Sequence, residues 1–328
     1  MKRIYNKVYH AAMAALMLTA ATACTSDNAP LQNDDTPKTT PLTTVTATQQ
    51  GAGTQTRTGH KENSDGTIGV TWANNDKIYI GLKFEGSPSG SIPTITGNGL
   101  PDTYKTYTIA SGQNSKSATF TPDNGAFEVP SGTQYIYALY GETSKIQQRS
   151  DGYALYDITG QRQKQNNDMT HIAEYDFMYA KAEYREGQMP NFEFHHVAAL
   201  LKFDLTLPAS GITVKELKLK KEGAGSSISL NTKGTYNFNT SSSDTSADAI
   251  TLKLGEDDNG FTCNDNKLTA YMMAFVLGSN NNDLILTVTD TNGNTYSKNI
   301  GKRTPSTGST KPGKLYTITA TLENTTTN

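Results

Sequence analysis

The chain has 328 residues, with 29 Lys+Arg against 31 Asp+Glu and a formal net charge of −2, a length that suits about two domains. Only 35 % of residues are hydrophobic and 18 % charged, so Thr, Ser, Asn and Gly fill the balance, which argues against a helical bundle and for half-buried strands joined by Gly and Asn turns. A near-neutral chain without a basic face also argues against nucleic acid as a partner.

Lys2, Arg3 and Lys7 precede an unbroken apolar stretch at residues 11–18, too short for a bilayer span of about 20 residues. Residues 1–23 therefore read as a secretory signal peptide. Small residues precede a Cys in Ala21-Thr22-Ala23-Cys24. The run resembles a bacterial lipobox, which implies cleavage before Cys24 and lipidation of its sulfur; the plainer alternative is cleavage near Ala23 beside an incidental Cys. Only one other Cys exists, Cys263. With Cys24 lipidated it has no partner and reads as a small buried hydrophobe. Stability must then come from apolar burial without disulfides.

Residues 25–55 are too polar to order themselves alone and read as a Thr-rich tether. Within them, residues 42–48 have strand-like Thr and Val content, with Val45 and Ala47 on one face. Thr56-Arg57-Thr58-Gly59 follows. The globular part opens with residues 67–72 and 77–82, predicted to form a hairpin around Asn74-Asn75-Asp76. Residues 117–121 and 127–129 flank an Asn-Gly turn and predict a second hairpin. Both faces of residues 135–140 are apolar, which predicts a central strand. Strands at 153–158 and 175–180 follow, separated by a polar loop at 160–168. A boundary is expected at 187–190. Beyond it, residues 195–201 could open as a helical turn before a strand at 202–207. Leu217 and Leu219, Ile228 and Leu230, and Ile250, Leu252 and Leu254 mark further strands. Residues 268–276 read as central, 284–290 and 295–300 as a hairpin about Asn292-Gly293, and 315–322 as the last strand. Turns every 8 to 12 residues or so indicate β-sandwiches, here two of them.

No motif carries enzymatic chemistry. His195 and His196 are adjacent, so on a strand they point to opposite faces and cannot readily share a metal. Residues 290–294 lack the Glu of a calcium loop, and 256–260 form a polar turn that could hold at most a weak surface cation. Gly86-Ser87-Pro88-Ser89-Gly90 has Pro where a nucleophile elbow needs Ser, and Gly97-Asn98-Gly99 lacks the third Gly of a dinucleotide site. Neither a cofactor nor a metal is expected. The 17 Tyr residues suit sheet surfaces and core rims better than a sugar platform.

Several stretches together resemble the fimbrillin (Mfa-like) family of Gram-negative anaerobes. They are the lipobox, the tether ending in Thr56-Arg57-Thr58, the segment 70–78 with Trp72 and Asn75-Asp76-Lys77-Ile78, Tyr175-Asp176-Phe177-Met178-Tyr179-Ala180, residues 192–203 and Pro312-Gly313-Lys314-Leu315-Tyr316-Thr317-Ile318. The resemblance implies an all-β protein of two tandem transthyretin-like β-sandwich domains, at 58–190 and 191–328, behind a signal peptide (1–23) and a tether with a removable strand (24–57). It implies export as a lipoprotein to the outer membrane and cell surface, and assembly with other fimbrial subunits into an adhesive fimbrium, with host or bacterial surface ligands as further partners. An arginine-specific or trypsin-like protease would cut at Arg57, before Thr58. The lost strand would carry Leu42, Val45 and Ala47, and a neighbouring subunit's strand would fill the groove.

That step has its own physical logic. Removing a strand exposes a row of N–H and C=O groups and the pockets that held its side chains. A foreign extended segment restores both, and a contact between different surfaces of each subunit can propagate as a filament. Stalk subunits of the family carry a long appendage after the Gly-Lys-x-Tyr strand, whereas residues 323–328 alone follow Leu322 here. Either the strand with Leu315, Tyr316, Ile318, Ala320 and Leu322 is the donor, or the subunit is a tip, accessory or anchor. The alternative function is a monomeric surface lipoprotein that binds glycans through exposed Tyr residues or Trp72.

Overall fold

Polar residues, Thr foremost, alternate with apolar ones in many of the described strands, and burial follows that period of two. The computed structural model describes residues 38–49, 61–62, 68–69, 71–82, 104–148, 154–221, 230–236, 241–247, 249–275, 284–301 and 310–325. These residues are nearly all β. From Lys38 onward they belong to one compact unit.

The first strands are β1 (Thr39–Leu42), β2 (Val45–Gln49), β3 (Lys61–Glu62), β4 (Ile68–Gly69), β5 (Lys77–Gly81), β6 (Lys105–Ser111), β7 (Ser117–Pro122), β8 (Phe127–Pro130) and β9 (Tyr135–Tyr140). After a 3-10 turn at Thr143–Lys145 come β10 (Ile146–Gln148), β11 (Ala154–Asp157), β12 (Arg162–Gln163), the one-turn helix α1 (Ile172–Tyr175), β13 (Met178–Glu183) and β14 (Asn191–His196). Seven of them close on themselves as a barrel, β13-β14-β2-β7-β6-β5-β9. Alternate residues point inward, so Val45, Ile78, Phe120, Ile136, Phe192 and Phe194 share one buried cluster. As expected, β9 is central, bonded to β5 and β13 with both faces buried beyond Tyr135.

The remaining strands are β15 (Ala199–Thr206), β16 (Ile212–Lys221), β17 (Leu230–Tyr236), β18 (Ser241–Ala247), β19 (Ala249–Leu254), β20 (Phe261–Cys263), β21 (Lys267–Ala274), β22 (Leu284–Asp290), β23 (Thr295–Asn299), β24 (Leu315–Thr321) and β25 (Glu323–Asn324). A sheet ordered β12-β19-β16-β22-β23-β25 and a smaller one, β21-β15-β24, contribute Leu217, Leu252 and Leu286 on one side and Phe203, Leu268 and Ile318 on the other to a second buried cluster. A third cluster joins Leu139 of β9 and Phe177, just before β13, to Leu200, Tyr271 and Met273. The chain leaves the barrel only after His196, so the boundary expected at 190/191 falls between two neighbouring staves, β13 and β14.

Two predicted hairpins do not form. The segment 67–72 does not pair with β5: Ile68–Gly69 pairs with β3, and β5 pairs with β6 and β9. The backbone of Trp72 is bonded instead to the turn before β7, its N–H to Ser115 O at 2.9 Å and its C=O to the Asn114 N–H at 2.7 Å, and in the turn that follows, where Asn75 has φ 68°, the Asp76 carboxylate accepts the Ala73 N–H at 2.7 Å. Likewise β7 pairs with β6 and β2, not with β8, whose partner is β1. The hairpin about Gly293 (φ 87°) forms as predicted from β22 and β23. Residues 197–198 are a bend instead of a helical turn, and the helix lies at 172–175, partly where a strand was predicted.

The polar loop expected at 160–168 holds a structural device instead. Gln161 and Gln163 are fully buried. Their amides bond the outer edge of β21: Met273 N–H to Gln161 Oε1 (2.7 Å), Gln161 Nε2 to Met273 O (2.8 Å), Tyr271 N–H to Gln163 Oε1 (2.8 Å) and Gln163 Nε2 to Thr269 O (2.9 Å). Their own backbone carbonyls accept from Lys253 and Gly255. Two side-chain amides thus stand in for a strand, sealing an edge that would otherwise recruit another chain. The predicted central strand β21 is therefore an edge strand with a capped flank.

Candidate functional site

Val45, Ala47 and Gln49 of β2 face inward and are buried, while Thr46 and Thr48 face outward. Strand β2 is not a sheet edge. It runs parallel to β14, with Ala47 opposite Phe192 and Gln49 opposite Phe194, and antiparallel to β7, with Val45 opposite Phe120 and Ala47 opposite Ala118. Its outward hydroxyls are also held, Thr46 Oγ1 with Asn191 and Thr48 Oγ1 with Ser117. Just before it, β1 pairs with β8 so that Leu42 lies opposite Phe127. Taking β2 out would open the barrel between β7 and β14, and only there.

Two buried side chains grip this segment by its carbonyls. The Trp72 indole N–H donates to Ala47 O at 3.1 Å. Trp72 is 0 % exposed and packs edge-on against Phe120, Tyr140 and Phe194, with ring centroids at 5.0, 5.3 and 5.5 Å. Asp76 fixes the arrangement, since Tyr140 OH donates to its Oδ1 at 3.0 Å while Oδ2 caps the turn after Trp72. At the other end Tyr107 OH donates to Leu42 O at 2.6 Å and accepts the Phe127 N–H at 2.9 Å. Burial pushes the Tyr107 phenol up, partly offset by the Phe127 amide, so it stays a donor. Val45 and Ala47 are legible from their alternation, whereas the roles of Trp72 and Tyr107 rest on carbonyls 25 and 65 residues away in sequence.

Among the remaining candidates, Cys24, Arg57 and Thr58 lie outside the described residues, as do 86–90 and 97–99. Leu315 and Tyr316 are half-buried in β24. Ile318, Ala320 and Leu322 are buried in the second cluster. Strand β24 runs parallel to β15, its one strand partner among the described residues. Cys263 is a buried free thiol, pushed up to about 11 by burial, with Asp265 adding to it.

The two histidines diverge as expected. His196 Nδ1 bonds Asp176 at 2.7 Å, and His195 stacks on Tyr179. Among the described residues, no group of three or more His, Cys, Asp or Glu could hold a metal. The turn at 290–294 is an internal network in which Asp290 accepts from Asn294 and Tyr296; the turn at 256–260 is tied to the Arg162 guanidinium by Gly255 O, Asp257 O and Asp258. Trp72, fully buried, offers no face to a sugar. Tyr135 is 43 % exposed but carries Lys181 Nζ over its ring at 3.9 Å.

The sequence profile of the family described as fimbrillin-like matches residues 56–328. No curated relative matches the chain. Among solved structures, the chain is similar to a proposed cell adhesion protein of Bacteroides uniformis, at 16 % identity and a TM-score of 0.49 over 86 % of this chain and 96 % of that one. It is similar to a second such protein, from Bacteroides ovatus, at 13 % identity and a TM-score of 0.47 over 89 % and 97 %. The tip fimbrial protein Mfa3 of Porphyromonas gingivalis, truncated at its C-terminus, matches at 11 % identity and a TM-score of 0.29 over 77 % and 80 %.

Proposed function

The chain belongs to the fimbrillin-like family, whose fimbrial, cell-adhesion proteins are structural and not enzymes, and on that footing we propose that it is a fimbrial subunit assembled by strand exchange. It reaches the outer membrane as a lipoprotein through Cys24. An arginine-specific protease cuts after Arg57, the segment with Leu42, Val45 and Ala47 leaves, and an extended strand of another subunit takes its place between β7 and β14. The donor is the C-terminal strand carrying Ile318, Ala320 and Leu322.

One observation carries the reading: β2 is a complete, doubly bonded stave of the barrel, yet it precedes Arg57, the sole Arg between residues 24 and 148. A single arginine-directed cut therefore separates this stave from the rest of its barrel. The test is digestion of residues 24–328 with an arginine-specific protease. The reading expects a core beginning at Thr58 that then forms multimers; a core that keeps residues 39–49 bound, or stays monomeric, overturns it.

A further inference from the structure

The runs Val45-Thr46-Ala47-Thr48-Gln49 and Ile318-Thr319-Ala320-Thr321-Leu322 have one pattern: a β-branched residue, Thr, Ala, Thr and a long side chain. In each, the first, third and fifth residues are buried. Each run also lies parallel to a neighbouring strand, β2 along β14 and β24 along β15. They differ in chemistry at the fifth place. Gln49 is 4 % exposed, and neither Nε2 nor Oε1 of its amide has a hydrogen-bond partner among the described residues. A buried amide without partners costs the full loss of its hydration, whereas a leucine at the same depth gains from burial.

We propose that Gln49 is a built-in weak point that makes β2 a poor occupant of its own slot, and that residues 318–322 of a second copy fit the slot better. This inference rests on the strand-exchange reading above. Ile318 would take the place of Val45 opposite Phe120, Ala320 the place of Ala47, and Leu322 the place of Gln49. Thr319 and Thr321 would present their hydroxyls where Thr46 and Thr48 now meet Asn191 and Ser117. The register is fixed. A slide of one residue turns every side chain to the wrong face, and a slide of two forces Ile318 or Leu322 into the fully buried Ala47 position, where close packing resists extra volume.

Once cleavage has emptied the slot, its backbone groups favour refilling it. Among the described residues β24 has one strand neighbour, so its release breaks one ladder; the slot supplies two.

The test uses residues 24–328 cut by an arginine-specific protease, with fluorescent peptides as probes. A peptide of residues 311–325 is expected to bind the cut chain about tenfold or more tightly than its Leu322→Gln version, the ratio that one unpaired buried amide implies, and its Ala320→Leu version is expected not to bind. Conversely, a Gln49→Leu chain is expected to hold its own segment at least about tenfold longer after the cut. Equal binding of the Leu322→Gln peptide, or equally fast release from the Gln49→Leu chain, overturns the role of Gln49 while leaving strand exchange standing. If neither this peptide nor one of residues 39–50 binds the cut chain, strand exchange itself is wrong, and the role of Gln49 with it.

Discussion

The indole N–H of Trp72 donates to the carbonyl of Ala47 across the barrel interior, 25 residues apart in sequence and 3.1 Å in space. In the proposed exchange this buried donor loses its partner when β2 leaves, and an incoming strand has to offer a carbonyl at the same height. Replacing Trp72 by Phe keeps the aromatic packing and deletes the donor. The expected cost is about 1–3 kcal/mol, read as a lower urea midpoint in the uncut chain, with faster loss of residues 24–57 after the cut. An unchanged midpoint contradicts the grip.

Tyr107 holds the other end and adds a pH dependence. Burial raises its phenol above 10 in the folded state, so the folded chain keeps a proton that the unfolded chain has released. The stability this contributes is complete below about pH 10 and is lost as pH climbs through the folded value. Above about pH 10, urea midpoints are expected to fall more steeply for the native chain than for a Tyr107→Phe chain, the difference isolating this residue from other buried phenols. Parallel curves contradict it.

The glutamine seal on β21 predicts a large effect from a residue that looks like loop. Gln161→Leu leaves the N–H and C=O of Met273 without their present partners. It should cost about 2 kcal/mol or more and promote association through the uncovered edge. Equilibrium unfolding with light scattering reads both; a variant as stable and as monodisperse as the parent excludes the sealing role.

Cys263 should be inert. A buried thiol pushed up to about 11 has almost no thiolate at pH 8. In a chain starting after Cys24, a thiol reagent is expected to label it only when the protein unfolds. Rapid labelling of the native chain contradicts its burial.

Alternation alone revealed much of this architecture. Val45 and Ala47, the two apolar faces of β9 and the Asn292-Gly293 hairpin were legible because each depends on neighbours within a few residues. The errors share a cause. Asn124-Gly125 does make a turn, but it leads to Phe127, whose partner is Leu42, 85 residues earlier; nothing local encodes that choice. Gln161 and Gln163 read as solvated because amides usually are, and their partners lie more than 100 residues away. Trp72 was visible as part of a motif, but its role depends on a carbonyl delivered by the segment before Arg57.

Hydrogen exchange before and after cleavage at Arg57 reads the departure and replacement of β2 residue by residue. In the uncut chain, the amides of β2 and those of β7 and β14 that face it should exchange slowly. After the cut the account predicts that the β7 and β14 amides lose protection together, while the β5, β6 and β9 amides keep theirs, and that a peptide of residues 311–325 restores the lost protection. Unchanged protection on β7 and β14, with residues 45–49 still slow to exchange after the cut, would contradict it.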